Sequence, residues 1–161
     1  GYALFLGVSS LATTGGDLTK VWAAAETPLL MAQWTMLLEI VHALTGAVKS
    51  PVFTTALQVM SRIYVVVIVG IAPAVTAQWG CGMMALSWSL VEIFRYAFYV
   101  NNLLGPGGQA GTLYPVFFLR YSLFAILYPT GITGEVLTQL ACLADPAFVA
   151  AAGGAWGLLV K

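Results

Sequence analysis

Long apolar stretches, broken by short polar or glycine-proline clusters, run the length of this chain. A bilayer-crossing helix needs about 20 predominantly apolar residues, and the pattern predicts several. Residues 2–14 make a short first segment, and 15–28 read as a polar loop holding Asp17, Lys20 and Glu26. A second span is predicted over 29–48, ending at Lys49-Ser50-Pro51; a third over 52–71, stopping before Pro73; and a fourth over 81–103. The run Gly105-Pro106-Gly107-Gly108-Gln109-Ala110-Gly111 is a breaker cluster. A fifth segment, 112–143, exceeds one span. Pro129, Gly131 and Gly134 are expected to kink or break it, because proline removes a backbone hydrogen bond. Asp145-Pro146 marks another boundary, and 148–160 begins a candidate sixth span. The expected fold is all-α: a polytopic transmembrane helical bundle of about five to six spans.

Composition sharpens this. The 161 residues are 60% hydrophobic and 7% charged, against about 25% charged in ordinary usage. Twelve charged side chains could not solvate the surface of a soluble domain of this size. Net charge is zero, so nothing points to nucleic acid or to an acidic surface. Cys81 and Cys142 form no CxxC, and one histidine offers no metal cluster. The chain lacks an initiator Met and stops just after an apolar run. The reading is therefore one transmembrane domain over 1–161, cut at one or both ends. Lys20 and Lys49 fall in consecutive loops, so charge leaves the orientation open.

Half of the charge lies inside the apolar segments. Glu39 and His42 are three apart, Gln58 and Arg62 four apart, Glu92 and Arg95 three apart; Glu92, Tyr96 and Tyr99 share a stripe. The fifth segment carries Arg120, Tyr121, Tyr128 and Glu135. An unpaired charge in hydrocarbon costs at least about 2.5–3.5 kcal/mol. These groups should therefore face inward, with helices two to five enclosing a polar chamber. The plain alternative is that Glu39, Arg62, Glu92, Arg95 and Arg120 only pair with one another to hold the bundle, and that His42 is a hydrogen-bonded bundle residue. Trp79 and Trp88 are candidate interface anchors.

Tyr128 and Glu135 invite a chemical reading. On an ideal helix, seven steps put both on one face, about 10 Å apart along the axis. The breakers between them suggest a cavity into which both turn, since irregular backbone at membrane depth must line a cavity or be buried in protein. One group can donate a proton while the other accepts one.

These motifs carry a resemblance. Leu37-Leu38-Glu39-Ile40-Val41-His42 with Gly46 and Ser50-Pro51 is followed by Gln58-Val59-Met60-Ser61-Arg62. Then come Trp88-Ser89 with Glu92-Ile93-Phe94-Arg95-Tyr96-Ala97-Phe98-Tyr99, and Leu119-Arg120-Tyr121 leading to Leu127-Tyr128-Pro129-Thr130-Gly131 and Glu135. In that order, over roughly residues 31–140, they resemble the very-long-chain (3R)-3-hydroxyacyl-CoA dehydratases, also called protein tyrosine phosphatase-like proteins. The family's first-helix pattern is not cleanly present in residues 2–10. The resemblance implies a multi-pass protein of the endoplasmic reticulum membrane and a hydro-lyase of fatty acid elongation. The reaction is the third step of the cycle, taking 3-hydroxyacyl-CoA to trans-2-enoyl-CoA. The family's catalytic residues fall on Tyr128 and Glu135; Glu39, His42, Arg62, Glu92, Arg95, Tyr96, Arg120 and Tyr121 are the polar chamber expected around them. No metal or other cofactor is implied, since the substrate carries the CoA. The implied partners are the very-long-chain acyl-CoA, membrane lipid and other enzymes of the cycle, with no nucleic acid.

Reference acidities, about 4.3 for free Glu and 10 for free Tyr, make the carboxylate the default base and the phenol the default acid. Burial and nearby arginines can exchange those roles. A cysteine phosphatase needs an arginine six residues after its cysteine; Cys81 has Ser87 there and Cys142 has Phe148. That argues against cysteine-phosphatase chemistry but leaves an inactive adaptor. A small transporter would also use intramembrane charge and a broken helix, but predicts inverted repeats that the sequence lacks.

Overall fold

A computed structural model describes residues 1–46, 51–104 and 114–159. It contains seven α-helices among these residues: α1 Tyr2–Thr13, α2 Val21–Thr35, α3 Leu37–Leu44, α4 Val52–Ile71, α5 Trp79–Leu104, α6 Tyr114–Ala144 and α7 Pro146–Leu159. Two 3-10 turns, Leu18–Lys20 and Pro73–Ala77, join α1 to α2 and α4 to α5. The all-helical expectation holds among the described residues.

Two boundaries differ from the hydropathy reading. The segment read as a polar loop turns helical at Val21 because Val21, Trp22, Ala25, Leu29 and Gln33 form one buried stripe. Tertiary burial thus overrides the polar residues and carries the helix through Pro28. Asp17 starts this stretch by accepting hydrogen bonds from the Thr19 hydroxyl and N–H. Those bonds hold its carboxyl below the ordinary range, the hydroxyl contributing most. The predicted second span is also two helices rather than one, joined through Met36, with residues 47–50 outside the description.

The fifth segment does not break. α6 runs continuously across Pro129, Gly131 and Gly134. Thr130 donates to the carbonyls of Ile126 and Leu127, and Thr133 to that of Pro129. These bonds add hydroxyl donors to the carbonyls of the turn around the proline. The sharp change of direction comes later, a 75° bend between Ala125–Ala144 and Pro146–Gly154. There Asp145 caps α7 through the N–H groups of Ala147 and Phe148.

α5 and α6 pack as an antiparallel pair, and glycine decides how closely. A methyl on Gly134 would lie 2.7 Å from the Met84 nitrogen and 2.8 Å from the Gly80 oxygen; one on Gly80 would lie 2.9 Å from Leu137 Cβ. One turn on, Gly131 faces Ser87, whose hydroxyl pairs with that of Thr130 at 3.2 Å. Small residues at a helix interface allow this close backbone approach. Gly82 does the same for the 3-10 turn, since a Cβ there would run into the Leu18 carbonyl. Around this seam lies the main core, with Trp22, Leu29, Val65, Met84, Trp88 and Cys142 among its members. Both cysteines are free and buried.

The outside is as apolar as the inside. Phe53, Leu57, Met60, Tyr64, Val67 and Ile71 form an exposed stripe along α4, and Phe118, Ile126, Ile132, Val136, Leu140 and Leu143 are exposed on α6. Among the described residues, α4 alone is long and apolar enough to cross a membrane by itself; the bent pair of α6 and α7 segments passes the same test together.

Candidate functional site

α3, α4 and α5 bring their charges to one place. Glu92 sits at the centre, 9% exposed. One of its oxygens accepts from Arg62 of α4 and the other from Arg95 one turn along α5. Arg95 also donates to Glu39 of α3 at 2.6 Å, and the Tyr96 hydroxyl donates to the same Glu39 oxygen at 2.7 Å. The Arg95 guanidinium lies 5.1 Å from the Tyr96 ring centre. Two arginines and two glutamates thus form a neutral knot, the arrangement that makes buried charge tolerable.

The knot extends to α6 through one side chain. The Arg62 guanidinium lies 5.4 Å from the centre of the Trp88 ring. The indole N–H of Trp88 donates to Glu135 Oε1 at 2.7 Å. Arg62 touches Met36 as well, Nη1 to Sδ at 3.7 Å. Glu135, half-buried on α6, therefore stands at the end of a continuous series of contacts that begins at Glu39.

The other expected residues fare differently. His42 is exposed and does not join the knot. Met36, Ile40 and Ala43 mark the inward side of α3; at 100° per residue Glu39 lies at its margin and His42 well past it. Three-residue spacing puts two groups near one another without putting both inside. Tyr121 is 57% and Tyr128 54% exposed, on the same side of α6 as Glu135 at heptad intervals. The side chains of Arg120 and Tyr99 lie outside the described residues. With α6 unbroken, Tyr128 and Glu135 remain two turns apart, about 10 Å along the axis. A cleft of about 340 Å³ opens between α2 and α4, lined by Trp22, Trp34, Val66 and Gly70 among others, away from Glu135.

Two residues escaped the sequence reading. Trp88, taken for an interface anchor, is 2% exposed and holds Glu135. Its spacing of four and seven from Glu92 and Arg95 was the available signal. Gln33 is fully buried, with neither amide atom hydrogen-bonded among the described residues. It continues the Trp22–Leu29 stripe, and only that periodicity could have marked it as interior.

Fold and site define a helical protein with two arginines and two glutamates gathered between its helices and large apolar side chains outside. Residues 33–152 match the family described as protein tyrosine phosphatase-like protein, PTPLA, and the chain belongs to that family. It is 37% identical over 125 residues to the very-long-chain (3R)-3-hydroxyacyl-CoA dehydratase hpo-8 of Caenorhabditis elegans, covering 77% of this chain and 56% of that protein. It is 40% identical over 137 residues to the dehydratase PASTICCINO 2 of Arabidopsis thaliana, covering 83% and 58%. To dehydratase 2 of Homo sapiens it is 35% identical over 129 residues, covering 80% and 49%. The chain spans about half the length of the curated relatives it matches. No solved structure matches it significantly.

Proposed function

We propose that this chain is the catalytic helical core of a very-long-chain (3R)-3-hydroxyacyl-CoA dehydratase, a hydro-lyase of fatty acid elongation. The observation that carries the proposal is Glu135, a carboxylate in an apolar helix, fixed by the Trp88 N–H inside a chain whose relatives bear that activity in their names. Glu135 takes the proton from C2 of the acyl chain. The C2–H electron pair becomes the C2–C3 double bond, and the C3 hydroxyl leaves as water with a proton delivered from Tyr128. The reaction is redox-neutral, so acid–base groups suffice and the substrate's own CoA is the only carrier needed. Because α6 is unbroken, Tyr128 delivers its proton by rotating along the helix face or through one relay water. The neutral knot of Glu39, Arg62, Glu92, Arg95 and Tyr96 ties α3 and α4 to α5, and α5 carries the Trp88 that meets Glu135 on α6.

We place the chain in the endoplasmic reticulum membrane as a multi-pass bundle of five to six spans forming one domain. The exposed stripes on α4 and α6 support this, because a solvated surface would not carry so many large apolar side chains in rows. Membrane lipid and other enzymes of the elongation cycle are its expected partners.

The test is water loss from a long-chain (3R)-3-hydroxyacyl-CoA by the purified protein. Tyr128→Phe and Glu135→Gln each keep volume and remove only proton chemistry. Each should lower turnover by about 10²–10⁴-fold while the protein stays folded. The separation of Tyr128 from Glu135 favours a second reading, an inactive phosphatase-like adaptor. A wild-type protein without turnover would select it.

A further inference from the structure

Glu135 has a feature that pairing alone does not account for. Its hydrogen-bond donor is neither an arginine nor a backbone amide but the N–H of a buried indole, which reaches across from α5 over 47 residues of sequence. Trp88 is itself fixed. Its ring packs in the main core with Met84, Ala85 and Val65, and the Arg62 guanidinium covers one face. Arg62 is in turn held by Glu92. An indole has a single donor in a rigid ring, so a clamped ring presents its N–H in one direction. The donor contacts one carboxylate oxygen, Oε1, and no donor is described on Oε2.

We propose that Trp88 is a positioning residue for Glu135: it fixes the carboxylate through Oε1 and leaves Oε2 aimed at the C2 proton of the acyl chain. The proposal rests on the dehydratase reading and deepens it. It gives the charge knot a part in the chemistry, because Arg62 braces the far side of the ring that holds the base. It also accounts for the close seam between α5 and α6. Gly134 adjoins Glu135 and meets the Met84 backbone, one turn before Trp88, so the approach that excludes a methyl at Gly134 also brings indole and carboxylate within 2.7 Å. A carboxylate left to rotate would spend little time in reacting geometry, and misplacement by about 1 Å can cost about 10²-fold in rate.

Two measurements on the intact chain in lipid nanodiscs test this. The first is the contact itself. With the tryptophan indoles labelled by nitrogen-15, the N–H resonance missing from Trp88→Phe is assigned to Trp88. It should move in Glu135→Gln, where an amide replaces the carboxylate acceptor, while the Trp79 resonance stays in place. A Trp88 resonance indifferent to Glu135→Gln overturns the proposal whatever the activity. The second is kinetic, on a long-chain (3R)-3-hydroxyacyl-CoA. Trp88→Phe should lower kcat by about 10²-fold with KM unchanged. Trp88→His, which restores an N–H on a smaller ring, should recover part of the loss. A residue that merely fills the core would change kcat and KM together or lower the folded fraction, and histidine would not rescue it. Unchanged kcat in a folded Trp88→Phe protein overturns the positioning role and leaves the dehydratase reading intact. A wild type without turnover overturns both.

Discussion

Single side chains in this molecule divide by whether they found partners. Glu92 has two arginines, Glu135 has an indole N–H, and Asp17 has both donors of Thr19. Gln33 is one exception, as is the Trp22 indole N–H: Gln33 is fully buried, and neither of its amide atoms has a hydrogen-bond partner among the described residues. A buried polar group left unpaired costs about 1–3 kcal/mol. Gln33→Met keeps the side chain's length and removes the amide, so the thermal midpoint in detergent should rise or hold. A fall of several degrees would mean that the amide is satisfied by a group outside the described residues. Legibility at this scale followed the same division. The Glu92–Arg95 pair was readable because both partners lie on one helix three residues apart. The Trp88–Glu135 bond was not, because no local spacing connects residues on two helices. His42 was misplaced because three-residue spacing fixes an angle between neighbours and says nothing about which of them faces the core.

At the scale of elements, the fold depends on glycines that sequence reading took for breakers. Gly131 and Gly134 follow Pro129, and a helix-breaking role was the natural inference from those three residues alone. In the structure they are contact residues of an unbroken α6, and only the position of α5 reveals it. A glycine that admits a neighbouring backbone and one that ends a helix look alike until the neighbour is known. The two roles predict opposite responses to alanine. At Gly134 the added methyl meets backbone atoms of Met84 and Gly80 that cannot swing aside. Gly134→Ala should therefore destabilise the protein by about 1–3 kcal/mol, the usual range for overpacking. At Gly70, inside α4 with nothing within 4 Å of the new methyl, alanine should stabilise by about 0.4–1 kcal/mol through lost freedom of the unfolded chain. Thermal denaturation of both variants in one detergent checks the pair. Equal effects at the two sites would show that helix propensity, and not the α5–α6 seam, governs Gly134.

For the molecule as a whole, two arginines and two glutamates are gathered between helices while large apolar side chains line the outside. Hydropathy alone anticipated this inversion, and the all-helical class with it. It misjudged where helices begin, because Trp22 and Ala25 are buried by tertiary packing that a window average cannot see. The inversion makes a physical prediction about surroundings. Met60 on α4 and Leu140 on α6 are 53% and 57% exposed, yet in a bilayer they should face hydrocarbon and no water. Thr14, at the turn after α1, is also exposed, but in a polar stretch that belongs at the aqueous edge. Single cysteines at these three sites separate the environments, and the background is low because both native cysteines are buried. In nanodiscs, Thr14→Cys should react rapidly with a membrane-impermeant maleimide, and Met60→Cys and Leu140→Cys hardly at all. A thiolate forms poorly in hydrocarbon, and the reagent cannot enter. Labelling of Met60→Cys as fast as Thr14→Cys would put the α4 stripe in water and remove the membrane-spanning assignment from that helix.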